Sequence, residues 1–400
     1  MGITNLISCL LLLIMFSGSS AAPDGSVHNN DEDGGGVCKS MVDNQNYPCE
    51  EHNVTTYDGY VLSLQRISSD HAGRSPSHRQ PVLLQHGLMM DAASWLLAPP
   101  TQSLPYLLAD NGFDVWISSS RGTEQSRRHK ILLADSPDYW DWSWDELAAC
   151  DLTAMVHHVQ RTTSQKLHYV GHSLGTTLVM AELSEGRLTQ SLRSAALLSP
   201  IAYLGRVTSV LVRLIADRYL PEILHTLGVY ELNLNSEIVS RILTLICDEP
   251  NIDCTNLLTA FTGPNCCVKP SVMDKFLAHE PQPTSTKNLI HLAQMIRSGK
   301  IAKYDYKSYA DNSRRYGQPT PPLYNLKNIP RDFPLFLAYG GADQLSEVNG
   351  VRLLIKDLKR HIRDKLIITY IPNYGHADLV IAENANKLVF DPLMSFFKRH

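Results

Sequence analysis

The 400-residue sequence predicts an α/β fold: a mostly parallel sheet wrapped by helices and split by an inserted helical cap. Three observations predict it. Short apolar strands alternate with helical segments from Pro81 to Leu198. The alternation stops over residues 202–327, which are helical in pattern and rich in cysteine. It resumes at Leu335.

The N-terminus reads as a secretory signal. Leu6 to Phe16 is an apolar run without charge, and the small residues Gly18-Ser19-Ser20-Ala21-Ala22 follow as a cleavage region. The run is short for a membrane span, and no later uncharged stretch is long enough for one. The compartment expected is extracellular, or a vacuole- or lysosome-like one reached by the same route. That route permits disulfides. After loss of Cys9, cysteines remain at 38, 49, 150, 247, 254, 266 and 267, an odd set. Cys38 and Cys49 are expected to pair. Cys247, Cys254, Cys266 and Cys267 can make two further bridges, which leaves Cys150 as a free thiol on a helix. Regular C-x-x-C spacing and a nearby histidine are missing from that cluster, which argues against zinc. Asn53-Val54-Thr55 is a glycosylation sequon, expected on a surface loop. A formal net charge of −4 and the lack of a basic stripe argue against nucleic acid as a partner.

Each element follows from local pattern. Residues 23–36 are acidic and glycine-rich and read as a disordered leader. Residues 54–67 predict a hairpin with Asp58-Gly59 at its turn. Ser69 to Gln80 is a polar loop. Residues 82–85 predict a strand that ends at His86-Gly87. Residues 104–109 predict a helix, with Gly112 near its C-terminal cap, and 114–118 the next strand. Ser143 to Gln160 predicts an amphipathic helix with Ala148, Leu152, Met155, Val156 and Val159 on one face. A strand over 167–170 runs into Gly171-His172-Ser173, a helix covers 176–183, and a strand covers 195–198. Further on, 335–339 and 366–371 predict strands, 351–358 lies between them, and a last helix carries Met394, Phe396 and Phe397.

The chemistry centres on Ser173. It stands in Gly171-His172-Ser173-Leu174-Gly175, where a strand turns sharply into a helix. Such a turn crowds the backbone, so the flanking positions must be small, and it lifts the hydroxyl to the top of the sheet. A serine nucleophile needs a base, a group to orient the base, and donors for the oxyanion. In this chain order the acid and base should follow on later strands. Asp343 follows the strand over 335–339 and His376 follows the strand over 366–371. Asp343 would orient the imidazolium, and His376 would act as general base and then acid. An N-cap aspartate is the plainer reading of Asp343. The oxyanion donors expected are the N–H groups of Leu174 and Leu88. An epoxide or halide hydrolase would need aspartate where Ser173 stands.

Other polar residues are read as structural. His172 is expected to point away and pack, and His157-His158 to lie on a helix surface. Asp141, Asp145, Glu146 and Asp151 are expected to cap a helix start or face solvent.

The residues resemble a known family at this point. The stretches are Glu51-His52 to Asp58-Gly59-Tyr60, Leu84-Gln85-His86-Gly87-Leu88, Asn111 to Trp116, Arg121-Gly122-Thr123 with Ser126 to His129, Trp142 to Leu147, Gly171 to Gly175, Pro281-Gln282-Pro283-Thr284-Ser285 and Tyr339-Gly340-Gly341. From about Tyr47 onward the chain resembles the acid lipases, the gastric and lysosomal type, and within them the plant triacylglycerol lipases. It departs locally, with Cys150-Asp151-Leu152-Thr153 where many members have Tyr-Asp-Leu-Pro, and with more cysteines around 247–267 than the animal enzymes. The resemblance implies an α/β-hydrolase core, no metal or cofactor, and cleavage of acylglycerols or sterol esters. It carries the nucleophile onto Ser173, the acid onto Asp343, the base onto His376 and the oxyanion donors onto Leu88 and Leu174. The division expected is a signal over 1–22, a leader over 23–46, core over 47–201, cap over 202–327 and core again over 328–400. Val207, Val210, Leu211, Leu214 and Ile215 recur at helical spacing in the cap. They read either as cap packing or as a lid that meets a lipid–water interface.

Overall fold

Strand β1 (Cys49–Thr55) pairs antiparallel with β2 (Tyr60–Ile67), and the turn between them contains Asp58-Gly59 as the sequence predicts. The structure is a computed structural model that describes residues 36–68, 79–234 and 257–400. The expected signal, most of the leader, and most of the loop over 69–80 lie outside the described residues, as do Cys247 and Cys254.

The chain then alternates. Strand β3 (Gln80–Gln85), helix α1 (Leu104–Asp110), strand β4 (Phe113–Ser118) and the short β5 (Arg128–His129) come first. The segment Trp144–Glu146, a π-helical stretch Leu147–Leu152 and helix α2 (Thr153–Thr163) run on from one another. Strand β6 (Leu167–His172), helix α3 (Leu174–Ser184) and strand β7 (Leu192–Leu198) follow. Between β7 and the next strand of the main sheet lie α4 (Val210–Asp217), α5 (Leu220–Thr226), the short β8 (Glu231–Leu232), α6 (Leu257–Thr262), α7 (Pro270–His279), β9 (Thr284–Ser285), α8 (Thr286–Ser298) and α9 (Tyr309–Tyr316). Strand β10 (Leu335–Gly340), α10 (Val348–Asp357), β11 (Leu366–Ile371), α11 (Asp378–Ile381) and α12 (Asp391–Phe397) complete the chain.

The main sheet runs β1-β2-β4-β3-β6-β7-β10-β11, with β5 beside β2. The pairs from β4 to β11 are parallel, and the two at the β1 end are antiparallel. A parallel sheet is covered on both faces, so its strands are apolar throughout. Strand β10 illustrates this. Leu335 and Leu337 join the hydrophobic cluster on one face, while Phe336 and Ala338 join the cluster on the other. The two-residue period therefore feeds two cores at once. A buried carboxylate in the sheet is paired: in β4 Asp114 accepts from Arg66 Nε at 2.8 Å and Nη2 at 3.0 Å.

The predicted amphipathic helix begins under a capping box. Ser143 accepts from Asp145 N, and Glu146 accepts from Ser143 N. Ala148, Leu152, Met155, Val156 and Val159 are all buried, as their spacing requires. The expectation that the nearby acids are caps or surface groups holds for exposed Asp141 and for Glu146 and fails for Asp145, which accepts from Tyr304 N at 2.8 Å and the Tyr324 hydroxyl at 2.6 Å, and for Asp151. Asp151 is fully buried and takes the Nε of Arg121 at 2.7 Å. Arg121 also holds Asp58 of the β1–β2 turn at 2.7 and 3.0 Å and lies 3.8 Å over the Tyr60 ring. A buried cation is tolerated only with such partners, and this one ties the hairpin to the helix.

Three more expectations change. Asn53 is exposed but lies within strand β1, not in a loop. Val207 precedes α4 and is buried, whereas Val210 on α4 is exposed, so the apolar repeat does not form one helical face. Of the four-cysteine cluster, Cys266 and Cys267 bond to each other across adjacent positions. Cys38–Cys49 is bridged and Cys150 is free and buried, as expected.

Candidate active site

Ser173 sits between β6 and α3 with φ 53° and ψ −120°. A non-glycine residue at positive φ is strained, and the surroundings must enforce it. They do so by closeness. A Cβ on Gly171 would come within 2.7 Å of the Gly175 carbonyl carbon, and one on Gly175 within 2.7 Å of the Gln85 carbonyl oxygen. Both flanking positions must therefore be glycine. The hydroxyl of Tyr169 donates to Gly175 O at 2.7 Å and ties the turn from the strand side.

Asp343 and His376 leave the C-terminal ends of β10 and β11, the same edge of the sheet from which Ser173 leaves β6. His376 Nδ1 lies 2.8 Å from Asp343 Oδ2 and 3.0 Å from Oδ1. Asp343 Oδ1 also accepts from Leu345 N and Ser346 N, and the following helix α10 is capped by Glu347 instead. Burial pushes the Asp343 carboxyl up, but the charge and hydrogen bond of His376 and the two N–H donors outweigh it and hold the pKa below its usual range. Nδ1 faces a carboxylate, so Nε2 is left free to take a proton. Ser173 is 8% exposed, His376 4% and Asp343 3%, so the site is shielded from water.

Leu88 and Leu174 lie on the two segments nearest Ser173. A Cβ on Gly87 would approach the Ser173 Cβ to 2.9 Å. Among the described residues neither N–H is taken by a main-chain acceptor. Both residues line one small pocket, with Met90, Trp142, Leu178 and Pro283 among its other walls.

Three positioning groups escaped the sequence reading. His172 does not merely pack: its Nε2 donates to His376 O at 3.1 Å, beside the Ser199 hydroxyl, which donates to the same oxygen at 3.2 Å. Burial drives its pKa down to about 3, so the ring is neutral. His86 accepts from Ser120 N through Nε2 at 3.0 Å and donates through Nδ1 to Gly87 O at 2.8 Å. Burial lowers its pKa to about 4, and the ring braces the Gly87-Leu88 turn as a neutral tautomer. Asp378, buried two residues after His376, accepts from the N–H of Gly375 at 2.7 Å, Cys266 at 3.0 Å and Cys267 at 3.1 Å. Asn265 Oδ1 takes the N–H of Ala377 at 2.9 Å. The segment 265–267 thus grips the His376 loop from outside. Only the adjacency of His172 to the motif and of Asp378 to His376 could have flagged these residues.

Cys266, Cys267 and Asp378 bring two sulfurs and a carboxylate within 4.8 Å of one another. The sulfurs are joined in a disulfide, so neither is a thiolate that could bind a metal.

Two family models match the chain. Residues 38–98 match a partial α/β-hydrolase lipase region, and residues 80–220 match the α/β-hydrolase fold. The chain is 46% identical over 368 residues to triacylglycerol lipase 2 of Arabidopsis thaliana, which covers 91% of this chain and 88% of that protein. It is 34% identical to the gastric triacylglycerol lipase of Bos taurus, with 96% and 98% covered. A carboxyl esterase from Bacillus coagulans aligns with TM-score 0.57 at 14% identity over 88% of this chain and 98% of that one. The soluble variant of a Saccharomyces cerevisiae monoglyceride lipase aligns with TM-score 0.55 at 15% identity over 88% and 94%. These two likenesses speak to the fold alone. On the sequence relatives, the chain belongs to the acid lipase family of the α/β-hydrolases, the family of the gastric and plant triacylglycerol lipases.

Proposed function

We propose that this protein is a lipase that hydrolyses the ester bonds of acylglycerols through an acyl-enzyme on Ser173. The observation that carries the reading is the 2.8 Å pair of His376 and Asp343 on the strand edge where Ser173 is held at positive φ. His376 removes the Ser173 proton as Oγ attacks the acyl carbonyl. The negative oxygen that forms is received by the N–H groups of Leu88 and Leu174. His376 then gives its proton to the departing alcohol. Water repeats the sequence in reverse and releases the fatty acid. Each step uses only acid–base and nucleophilic groups of this chain. Asp343 stays ionised and stabilises the imidazolium.

The substrate class rests on the relatives at 46% and 34% identity, both named as triacylglycerol lipases. Leu88, Met90, Leu174, Leu178 and Pro283 give the small pocket beside the proposed oxyanion donors an apolar side, where the proposal seats the start of the acyl chain. The helical segment between β7 and β10 is the proposed cap, with the exposed Val210 on a face that can meet a lipid surface. The secretory route and glycosylation at exposed Asn53 belong to the same proposal. No helix of the described residues is long and apolar enough to cross a membrane.

A fluorophosphonate probe should label the wild type and leave Ser173→Ala unlabelled. Equal labelling would remove the mechanism. Emulsified long-chain triacylglycerol should be cleaved faster than a soluble short-chain ester. The reverse order would make the protein a soluble carboxylesterase, and preference for a cholesteryl ester would make it a sterol-ester hydrolase.

A further inference from the structure

The segment Pro281-Gln282-Pro283-Thr284-Ser285 stood out in the sequence, yet neither the triad nor the fold has so far required it. Its neighbours show what it does. It follows α7 and runs directly beneath the turn that carries Leu88. The main-chain N–H of Gln282 donates to Met89 O at 2.8 Å. The main-chain N–H of Asp91 donates to Glu280 Oε1 at 3.2 Å. The Gln282 side chain is itself anchored at both ends: Oε1 accepts from Glu124 N at 3.0 Å, and Nε2 donates to His279 O at 2.7 Å. Glu280 and Gln282 are 3% and 4% exposed, so these bonds are shielded from water.

The turn they hold needs holding. Met89 has φ 55°, a conformation that costs a non-glycine residue energy unless its surroundings over-determine it. Leu88, one residue earlier, has no side-chain constraint on the direction of its N–H. That direction is set by the Gly87–Leu88 peptide plane, whose tilt is fixed by the backbone on either side of it. One side of the turn is braced by His86 through Gly87 O. The other side is braced by residues 280–282 through Met89 O and Asp91 N.

Glu280 is also an expensive residue to bury for packing alone. Its Oε2 has no partner among the described residues, and Asp91 and Glu124 approach it with like charge. An apolar side chain would fill the same space without that cost. A carboxyl at this point is explained by the acceptor it offers to Asp91 N.

We infer that Glu280 and Gln282 are positioning residues for the oxyanion hole, fixing the Leu88 N–H through Asp91 and Met89 and so making the hole depend on the segment that follows α7. This rests on the assignment of Leu88 as an oxyanion donor. The consequence is a division of labour. Ground-state binding of substrate does not use the latch, because the carbonyl is not yet an oxyanion. The tetrahedral transition state does.

The test uses the full-length secreted protein, a soluble p-nitrophenyl ester as substrate and an alkyl boronic acid as tetrahedral mimic. Glu280→Ala should lower kcat by about 10- to 100-fold, less than the loss expected when a donor is removed outright. KM should stay within about twofold, and the boronic acid Ki should rise by the same factor as kcat falls. Glu280→Gln should recover most of kcat, because its amide oxygen still accepts from Asp91 N. Gln282→Ala should lower kcat in the same pattern and provides the reading if Glu280→Ala does not fold. Leu88→Pro, which deletes the N–H, separates the two claims. If Leu88→Pro is inactive while Glu280→Ala and Gln282→Ala keep wild-type kcat and Ki, the positioning role is overturned and the oxyanion assignment stands. If Leu88→Pro is fully active, the oxyanion assignment itself falls. A rise in KM with unchanged Ki in the Glu280 and Gln282 variants would also overturn the inference, since it would place them in substrate binding.

Discussion

His172 Nε2 donates to the main-chain oxygen of His376 across 3.1 Å, so the residue before the proposed nucleophile holds the loop of the proposed base. The acceptor is a carbonyl, which cannot donate, so the proton must reside on Nε2. The two rings are 5.0 Å apart at their centroids, which keeps the base close to the serine turn. The bond links the ends of β6 and β11, strands that are not neighbours in the sheet.

His172→Ala should lower kcat by roughly three- to tenfold with little change in KM, and destabilise the fold by about 1–2 kcal/mol, the cost of losing a buried hydrogen bond. Steady-state kinetics with thermal denaturation measures both. His172→Gln, whose amide can donate in the same direction, should restore part of the loss. A His172→Ala enzyme with unchanged kcat would mean that Ser199 alone holds the His376 carbonyl.

Asp343→Asn should reduce kcat by about 10⁴-fold while leaving the fold intact, because an amide no longer selects the Nδ1–H tautomer of His376. The sign of its pH effect follows from the lowered pKa of Asp343. The ionised form is favoured in the fold, so its stabilisation is present above the ordinary aspartate value and is lost as pH falls through the lower folded value. The kcat of the variant, measured with a soluble ester at neutral pH, tests the role. A loss of less than tenfold would remove Asp343 from the mechanism.

Asp378→Ala should free three main-chain N–H groups at once, those of Gly375, Cys266 and Cys267. Only the Gly375 bond is fully buried and the two cysteine bonds are part-buried, so a loss of about 1–3 kcal/mol in stability is expected. The fall in kcat should exceed the rise in KM, because the His376 loop moves and the acyl pocket does not. Urea denaturation and kinetics on the same sample would test this. Unchanged kcat in a folded Asp378→Ala would show that segment 265–267 is not needed to place His376.

Buried groups of opposite pH sense should shape stability. His86 and His172 are held neutral, with pKa values lowered by burial to about 4 and about 3. Their contribution is complete above the ordinary histidine value near 6.5 and is lost as pH falls from there toward the folded values. Asp91 runs the other way. Burial raises it to about 6, so its favourable contribution is present below the ordinary aspartate value and is lost as pH rises through about 6. Burial also raises Glu280 well above its ordinary range, with the same sign. Asp91→Asn should therefore gain stability relative to wild type by up to about 3 kcal/mol between pH 4 and pH 8, after allowing for any constant offset. Unfolding free energies at the two pH values measure it, and a pH-independent difference would contradict it.

Much of the fold could be read from pattern because local rules and burial agree there. Residues 366–371 were readable as a strand, and β11 spans Leu366–Ile371. The face Ala148, Leu152, Met155, Val156 and Val159 was readable because a helix buries every third or fourth residue. The segment between β7 and β10 was harder. Val207 and Val210 share a helical spacing with Leu211, but the helix begins only at Val210, where Ser209 caps it. Periodicity registers apolar spacing and is blind to where a cap starts the helix. Asp151 was misread for a related reason. An acid beside a helix start usually caps or faces water, and only the arrival of Arg121 from the turn after β4 offsets the cost of burying it.

By itself the sequence determined that Ser173 occupies a glycine-flanked turn between strand and helix, and that Asp343 and His376 follow later strands in the order such chemistry uses. Those features are local, set by backbone crowding and by two- and 3.6-residue periods. Only the tertiary structure decided which side chains hold them in place. His172 reaches the His376 carbonyl, Asp378 gathers N–H groups from 265–267, and Glu280 meets Asp91 from 189 positions away. A hydrogen bond between distant segments leaves no periodic trace in sequence, because its partners meet only when the sheet order brings their loops to one edge.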